Sequence, residues 1–485
     1  MYHSSELNEA PVVAVAHGDG IGPEIMTAAL DVLRAAGAWL DIRPLEIGEQ
    51  LYRQGHTSGI APEGWDTLRR ARAFFKAPIT TPQGGGMKSL NVTIRKTLGL
   101  YANVRPCSAY APFVATKHPG MDLVIVRENE EDLYAGIEHR QTDEVYQCLK
   151  LVSRPGCERI VRYAFEYARA NRRAKVSCFT KDNIMKLTDG LFHQVFNEIG
   201  EEYPEIVQDH WIVDIGTARL ATRPEDFDVI VTTNLYGDII SDVAAEIAGS
   251  VGLAGSANIG PHVSMFEAIH GSAPDIAGQD VANPSGLLLA GVMMMNHLGQ
   301  SDVAQRVHNA WLRTLEDGIH TGDVGAEAGI GQTVGTCAFA AAVISRLGQE
   351  PQKLAPVRYS ANAVLEIAPV VRKAPADRQT VGVDLFVQWR GGADDLAAKL
   401  KGIEGGPLEL KMITNRGVKV WPGGIPETFC TDHWRCRFMN GGGSIDLNEI
   451  VALSGRAVVA GVDFIKTEHL CTFDGEAGFT LGQGQ

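Results

Sequence analysis

Apolar residues run almost unbroken from Pro11 to Ala16, then a Gly-rich turn gives way to a 3.6-residue apolar rhythm from about Pro23 to Ala36. That change of period predicts a buried strand, a tight turn and an amphipathic helix. The alternation recurs with Leu123–Arg127 as a strand, Arg159–Ala170 as a helix, and Lys175–Thr180 and Asp228–Thr233 as further buried strands. Helices alternating with apolar strands imply an α/β domain around a largely parallel or mixed sheet. From Gln349 to Arg378 the pattern fades into Pro, Ala and charged residues, which marks a linker. Beyond it Val381–Trp389 alternates as a strand, Asp394–Lys401 is helical, and Leu408–Ile413 is extended. Thr431–Met439 alternates again, Leu447–Leu453 is helical and Asp463–Thr472 extended. The order β-α-β-β-α-β predicts a C-terminal ferredoxin-like α+β module of about a hundred residues.

Length supports this division, because 485 residues exceed what one hydrophobic core usually fills. A net charge of −14 disfavours nucleic acid and anionic lipid as partners, so an anionic substrate needs a local cationic pocket. The eight cysteines never form C-x-x-C, which suits free thiols in a reducing cytoplasm. Residues 1–10 resemble neither a signal peptide nor a transit peptide, and the apolar run Leu287–Met295 is too short to span a bilayer. A cytoplasmic protein with no membrane partner is expected.

Three constellations carry chemistry. The glycines of His17-Gly-Asp-Gly-Ile-Gly-Pro23 miss the dinucleotide-fingerprint spacing, so this segment reads as a strand-to-helix turn. The stretch Thr80–Pro106 combines glycines with hydroxyl, amide and guanidinium groups. Arg95 and Arg105, with Arg127 further on, are forks suited to carboxylates, although any one alone would suit a surface ion pair. In Asn234-Leu-Tyr-Gly-Asp-Ile-Ile-Ser-Asp242, a helix starting near Gly237 places Asp238 and Asp242 on one face. Two such carboxylates suit Mg²⁺ or Mn²⁺, with Asp214 as a possible third ligand; alternatively Asp238 caps the helix and Asp242 is solvated. His270 opens the Gly/Pro-rich loop His270–Gly278, where small side chains allow close backbone approach to a flat ligand.

Five segments together, T-T-P-x-G-G-G-x-x-S-L-N-V, Y-A-N-V-R-P, R-E-N-x-E-D-x-Y-A-G, N-L-Y-G-D-I-x-S-D and H-G-S-A-P-D-I-A-G, resemble the β-decarboxylating dehydrogenases. This is the isocitrate/isopropylmalate dehydrogenase family; the resemblance covers roughly residues 11–347 and is closest to its isocitrate branch, whose larger bacterial members carry a C-terminal extension. It implies a non-Rossmann α/β fold: a large domain split into residues 1–100 and 249–350, a small domain with a dimer clasp at 101–248, a linker at 351–378 and the module at 379–485. It also implies a homodimer with shared active sites.

For the site, the resemblance implies that Ser89 and Asn91 face the γ-carboxylate of isocitrate, where isopropylmalate enzymes carry apolar residues, and that Arg95, Arg105 and Arg127 hold substrate carboxylates. The metal would lie between Asp238, Asp242 and Asp214 of the partner subunit. Lys181 of the partner subunit would deprotonate the substrate hydroxyl, and Tyr134 would protonate the enolate left after CO2 departs. Thr81, Asn183, His270, Gly271, Asp275, Ile276 and Asn283 would bind the cofactor. NAD is expected over NADP because Asp275-Ile276 stands where NADP enzymes of the family carry Lys-Tyr, and residues 323–345 lack a phosphate-binding tyrosine and arginine. Homoisocitrate, tartrate and isopropylmalate are alternative substrates. A non-catalytic regulatory subunit would show gaps at Lys181, Tyr134, Asp238 or Asp242, and none is present. The C-terminal module is expected to strengthen assembly, with Trp434 and Phe438 either anchoring an interface or filling the module's own core.

Overall fold

The computed structural model describes residues 9–80, 89–325, 331–359, 365 and 367–482. The chain folds as two compact units, one of residues 1–134, 151–184 and 189–370, the other of residues 135–150, 185–188 and 371–485. No helix among the described residues is long and apolar enough to cross a membrane.

The first unit is built on a ten-stranded sheet. Its order is Asp41–Pro44, Val12–Ala16, Ala73–Lys76, Ser264–Ala268, Gly255–Ile259, Ala102–Ser108, Asp122–Glu128, Val229–Thr232, Lys175–Thr180 and Val207–Ile212. Both wings are parallel, while Gly255–Ile259 and Ala102–Ser108 run antiparallel to both of their neighbours. The mixed, non-Rossmann sheet expected from the sequence is therefore what forms. Asp122–Glu128 is buried on both faces apart from its first residue, as its apolar run requires of a central strand. The helix Arg154–Ala170 starts where Ser153 accepts the Gly156 N–H, and it buries Ile160, Val161, Ala164, Phe165 and Ala168 along one stripe.

The antiparallel centre aligns polar residues. Alternation puts residues 103, 105 and 127 on one face, since Asn103 stands opposite Arg127 and Arg105 opposite Ile125. Asn258 is the cross-strand partner of Asn103, and Lys76 that of Glu267. A polar row thus crosses the sheet.

The segment read as a linker is in part strapped to this unit. The Glu316 carboxylate accepts the N–H groups of Gln352, Lys353 and Leu354, Asn309 pairs with both backbone groups of Val357, and Tyr359 bonds His308.

The second unit is a six-stranded antiparallel sheet in the order Val418–Trp421, Leu408–Asn415, His433–Asn440, Arg378–Gln388, Phe464–Phe473, Glu476–Ala477. Ala393–Lys401 and Leu447–Val459 are its helices. Val418–Trp421 and Glu476–Ala477 add edge strands to the order read from the sequence. Trp434 and Phe438 are 3% and 0% exposed in this unit's core, so they fill the module and do not anchor an interface. The hairpin Glu138–Arg140 with Tyr146–Cys148 belongs to the same unit, where Thr142 donates to Asp432 and Glu144 accepts the Asp432 N–H.

One carboxyl at the end of a central strand makes stability depend on pH. Burial pushes Glu128 from 4.5 up to about 8, although it accepts the N–H groups of Glu130 and Glu131. The folded chain then holds this proton more tightly than the unfolded chain. Its contribution is full below about pH 4.5 and is lost as pH rises through 8, at up to about 1.4 kcal/mol per unit. Denaturant unfolding between pH 5 and 8.5 is expected to show a shallower loss of stability for Glu128→Gln than for the wild type. Parallel profiles would refute this.

Candidate active site

The helix Asn234–Ala248 follows the buried strand Val229–Thr232 and begins three residues earlier than the sequence suggested. Its first turn is held from outside: Asp132 accepts the Leu235 N–H, and Asn234 receives Arg127 Nε and Nη2. Asp238 is therefore inside the helix and does not cap it. Asp238 and Asp242 face the polar row of the sheet. Arg127 and Tyr134 both donate to Asp238, Arg105 lies 3.4 Å from each of the two carboxylates, and Arg105 also donates to Ser241 and Asn103. Gly237 is what lets the helix approach, because a Cβ there would stand 2.5 Å from Arg127 Cγ.

Burial works to raise the Asp238 pKa, but Arg127, Arg105 and the Tyr134 hydroxyl outweigh it and hold the group below the usual carboxylate range. Asp242 is shifted upward, by burial above all, and its neighbour Asp238 adds to this. Burial and the hydrogen bond to Asp238 raise Tyr134, which therefore keeps its proton at neutral pH. The pair fits a hard divalent cation. Asp242 is open, with its side chain 63% exposed, whereas binding at Asp238 exchanges existing bonds to Arg127 and Tyr134.

The polar row continues from Arg105 through Asn103 and Asn258 to Glu267, which pairs with Lys76 at 2.7 Å and Arg95 at 2.8 Å. Lys76 is 1% and Glu267 5% exposed. Burial opposes the Glu267 charge, yet the two cations hold its pKa far below the usual range. Lys76, Glu267, Asn103 and Asn258 were missed as site residues. Lys76 ends the apolar run Ala73-Phe-Phe-Lys76, a charge inside a buried strand that could have flagged it.

Ser89 occupies the N-cap position of the helix Leu90–Thr97 without capping it, and Asn91 Oδ1 and Arg95 Nε are buried with no hydrogen-bond partner among the described residues. An amide oxygen and a guanidinium N–H here have unused bonding capacity, which is costly unless a ligand takes it.

A second cluster lies around the turn His17–Pro23. Gly18 and Gly20 have φ of +66° and +58°, and a Cβ at either would meet the carbonyl of Pro78 or Ser272 at about 2 Å. Asp19 accepts the Thr80 N–H, Thr80 bonds Ser272, and Ile21 N–H reaches the Ser272 carbonyl. The His270–Asn283 loop is thereby docked on the turn. Burial lowers the His270 pKa, so its imidazole is neutral, and its Nε2 has no partner among the described residues. Ala273 takes the left-handed conformation ahead of the turn Pro274–Ile276, which leaves Asp275 exposed and Ile276 half-buried. Asn283 is fixed by Asp323 and by the Ser285 N–H. A buried neutral donor–acceptor beside Gly271 and an exposed carboxylate fit a nucleotide cofactor. Thr81 lies outside the described residues.

Lys181 and Asp214 pair with each other at 2.5 Å, and Asp214 is 67% exposed on the helix Val213–Thr222. Asn183 is exposed and follows Lys181 closely in sequence. Within one chain Asp214 does not complete a ligand set with Asp238 and Asp242: among the described residues, Asp182, His193 and His210 form the only group of three potential ligands within 4.8 Å of one another.

Residues 12–343 match the family described as isocitrate/isopropylmalate dehydrogenase. The chain belongs to that family. Residues 378–485 match a second family, the C-terminal domain of bacterial isocitrate dehydrogenase. A Rickettsia felis relative named "Isocitrate dehydrogenase [NADP]" is 55% identical and covers 99% of this chain and 100% of its own. A Thermus thermophilus relative of the same name is 46% identical over 98% of this chain and 96% of its own. A Saccharomyces cerevisiae relative, named subunit 2 of a mitochondrial NAD enzyme, is 43% identical over 69% of this chain and 90% of its own. A crystal structure from Thermus thermophilus superposes with a TM-score of 0.92 at 45% identity, covering 98% of this chain and 96% of its own. Among family members compared, then, the full-length relatives carry NADP in their names, whereas Asp275-Ile276 led to an expectation of NAD.

Proposed function

We propose that the chain oxidises isocitrate at C2, passing hydride to NAD, and releases CO2 to give 2-oxoglutarate. The observation that carries this reading is the polar trio Ser89, Asn91 and Arg95 on one short helix, with orphaned atoms on two of them, of which Arg95 is linked through Glu267, Asn258 and Asn103 to the Arg105–Arg127–Asp238–Asp242 cluster. Seating an isopropyl group against that trio would leave the Arg95 Nε–H unpaired, whereas a carboxylate accepts from it and from the Ser89 hydroxyl; Asn91 joins them only by presenting its NH₂ group, since its Oδ1 can only accept. Charge agrees. Four cations (Lys76, Arg95, Arg105, Arg127) face three carboxylates (Glu267, Asp238, Asp242), a net charge of one that a divalent ion raises to three. A tricarboxylate matches that value.

In this reading Arg105 and Arg127 turn to the substrate carboxylates and fix its C2 hydroxyl. Lys181 of the partner subunit accepts the hydroxyl proton. Asp238 and Asp242 would hold Mg²⁺ or Mn²⁺, whose charge would offset the negative charge that develops on the substrate oxygen. Tyr134, still protonated, supplies the proton that ends the reaction. A shared site is supported by the failure of Asp214 to form a ligand group with Asp238 and Asp242 within one chain, and by exposed Ile215 and Ile239 on the helices carrying Asp214 and Asp238. A homodimer covers such surface. The second unit, whose central strand order and antiparallel pairing suit a ferredoxin-like module, serves assembly and no chemistry. With every cysteine free, the cytoplasm is the matching compartment.

NAD is preferred because the exposed Asp275 can accept hydrogen bonds from ribose hydroxyls and would repel a 2′-phosphate. The names of the full-length relatives favour NADP instead, so the chain's own residues are the test. With isocitrate as substrate, kcat/KM is expected to favour NAD in the wild type, and Asp275→Lys with Ile276→Tyr to lower NAD use and raise NADP use. A wild type that prefers NADP would overturn the cofactor assignment.

A further inference from the structure

Outside the active site, three potential metal ligands converge at one end of the parallel wing. Asp182 follows the strand Lys175–Thr180, His210 lies on the neighbouring strand Val207–Ile212, and His193 on the helix Thr188–Gly200. The His193 Nδ1 to Asp182 Oδ2 distance is 2.7 Å and the His210 Nε2 to Asp182 Oδ1 distance 3.9 Å. Donors bound tetrahedrally at Zn–N and Zn–O lengths sit about 3.4 Å apart, a value these two distances bracket. All three side chains are between a fifth and about a quarter exposed, so the cluster is enclosed yet reachable by an ion.

We propose that Asp182, His193 and His210 form a site for a borderline transition-metal ion such as Zn²⁺ or Co²⁺, separate from the carboxylate site for Mg²⁺ or Mn²⁺. Two imidazoles and one carboxylate are the donor set such ions select, while hard ions prefer oxygen alone. The imidazoles stack with centroids 3.7 Å apart and planes within 14°, an arrangement that two imidazolium cations would oppose. Burial and the adjacent His193 lower the His210 pKa, which keeps its lone pair available. Thr180 bonds His210 Nε2 and must give way to the ion. One ring must also turn out of the stack to bring its lone pair into line. The family fold is not required for this site; it rests on these three side chains.

The test is a Co²⁺ titration of the full-length protein, stripped with EDTA and then held in saturating Mg²⁺, followed by visible absorption. The expected result is a four-coordinate Co²⁺ band that saturates at one ion per chain. His193→Gln and His210→Gln are each expected to weaken it at least about tenfold, and Asp182→Asn, which preserves shape, to do the same; Asp238→Asn should retain it. No saturable band in the wild type would overturn the proposal, as would a band that persists in both histidine variants, since that would place the ion on exposed thiols such as Cys148 and Cys337.

Discussion

Glu267→Gln is expected to destabilise the protein by about 3–5 kcal/mol, because it strips the counter-charge from two buried cations at once. Lys76 Nζ and Arg95 Nη2 each reach a different carboxylate oxygen of Glu267, and Asn258 donates to one of them. An amide keeps the shape but offers one acceptor and places an N–H₂ donor against a cation. The midpoint of denaturant unfolding, with its slope unchanged, measures the effect. Adding Lys76→Met to the same chain is expected to recover part of the loss, since one orphaned charge is removed with it. A loss under 1 kcal/mol in the single variant would mean that the three groups are not the tightly paired cluster described. The site would also suffer: Arg95 loses the carboxylate that anchors its guanidinium.

The second large effect concerns shared sites. Lys181→Met and Asp238→Asn homodimers are each expected to lose at least about 10³-fold in kcat, one lacking the proton acceptor and the other a metal ligand. A heterodimer of the two restores one complete site if Lys181 acts across the interface, because the Asp238→Asn chain still carries Lys181. An equal mixture with random exchange then regains roughly a quarter of wild-type activity, by the symmetry of a two-fold dimer. No recovery in a mixture whose heterodimers are demonstrated by mass would place both residues in one subunit's site.

Much of the site was legible in the chain because its carriers are local. The four-residue spacing of Asp238 and Asp242 needs only helical geometry, and Arg127 stands in a segment that reads as a strand, whereas the strand Ala102–Ser108 carrying Arg105 was not read from the sequence. What the sequence did not reveal depends on register between distant strands. Lys76 meets Glu267 across a parallel pair, and Asn103 meets Asn258 across an antiparallel one, only because strands far apart in the chain become neighbours in the sheet. Local propensity carries no trace of that order. The early start of the helix Asn234–Ala248 has the same origin, since Asp132, over a hundred residues away in sequence, satisfies its first-turn N–H. Likewise Trp434 and Phe438 alternate as an exposed interface strand would, and only the packing of two helices on that face assigns them to a core. The hairpin at 138–148 gives no local sign that Asp432 and Arg390 are its partners.

The most direct test of the account is the initial rate of reduced-cofactor formation by purified protein with isocitrate, homoisocitrate or isopropylmalate, each with and without EDTA. Turnover with isocitrate that exceeds the other two, vanishes with EDTA and returns with Mg²⁺ or Mn²⁺ is the predicted result. Activity with isopropylmalate alone, or with isocitrate undiminished by EDTA, would contradict it.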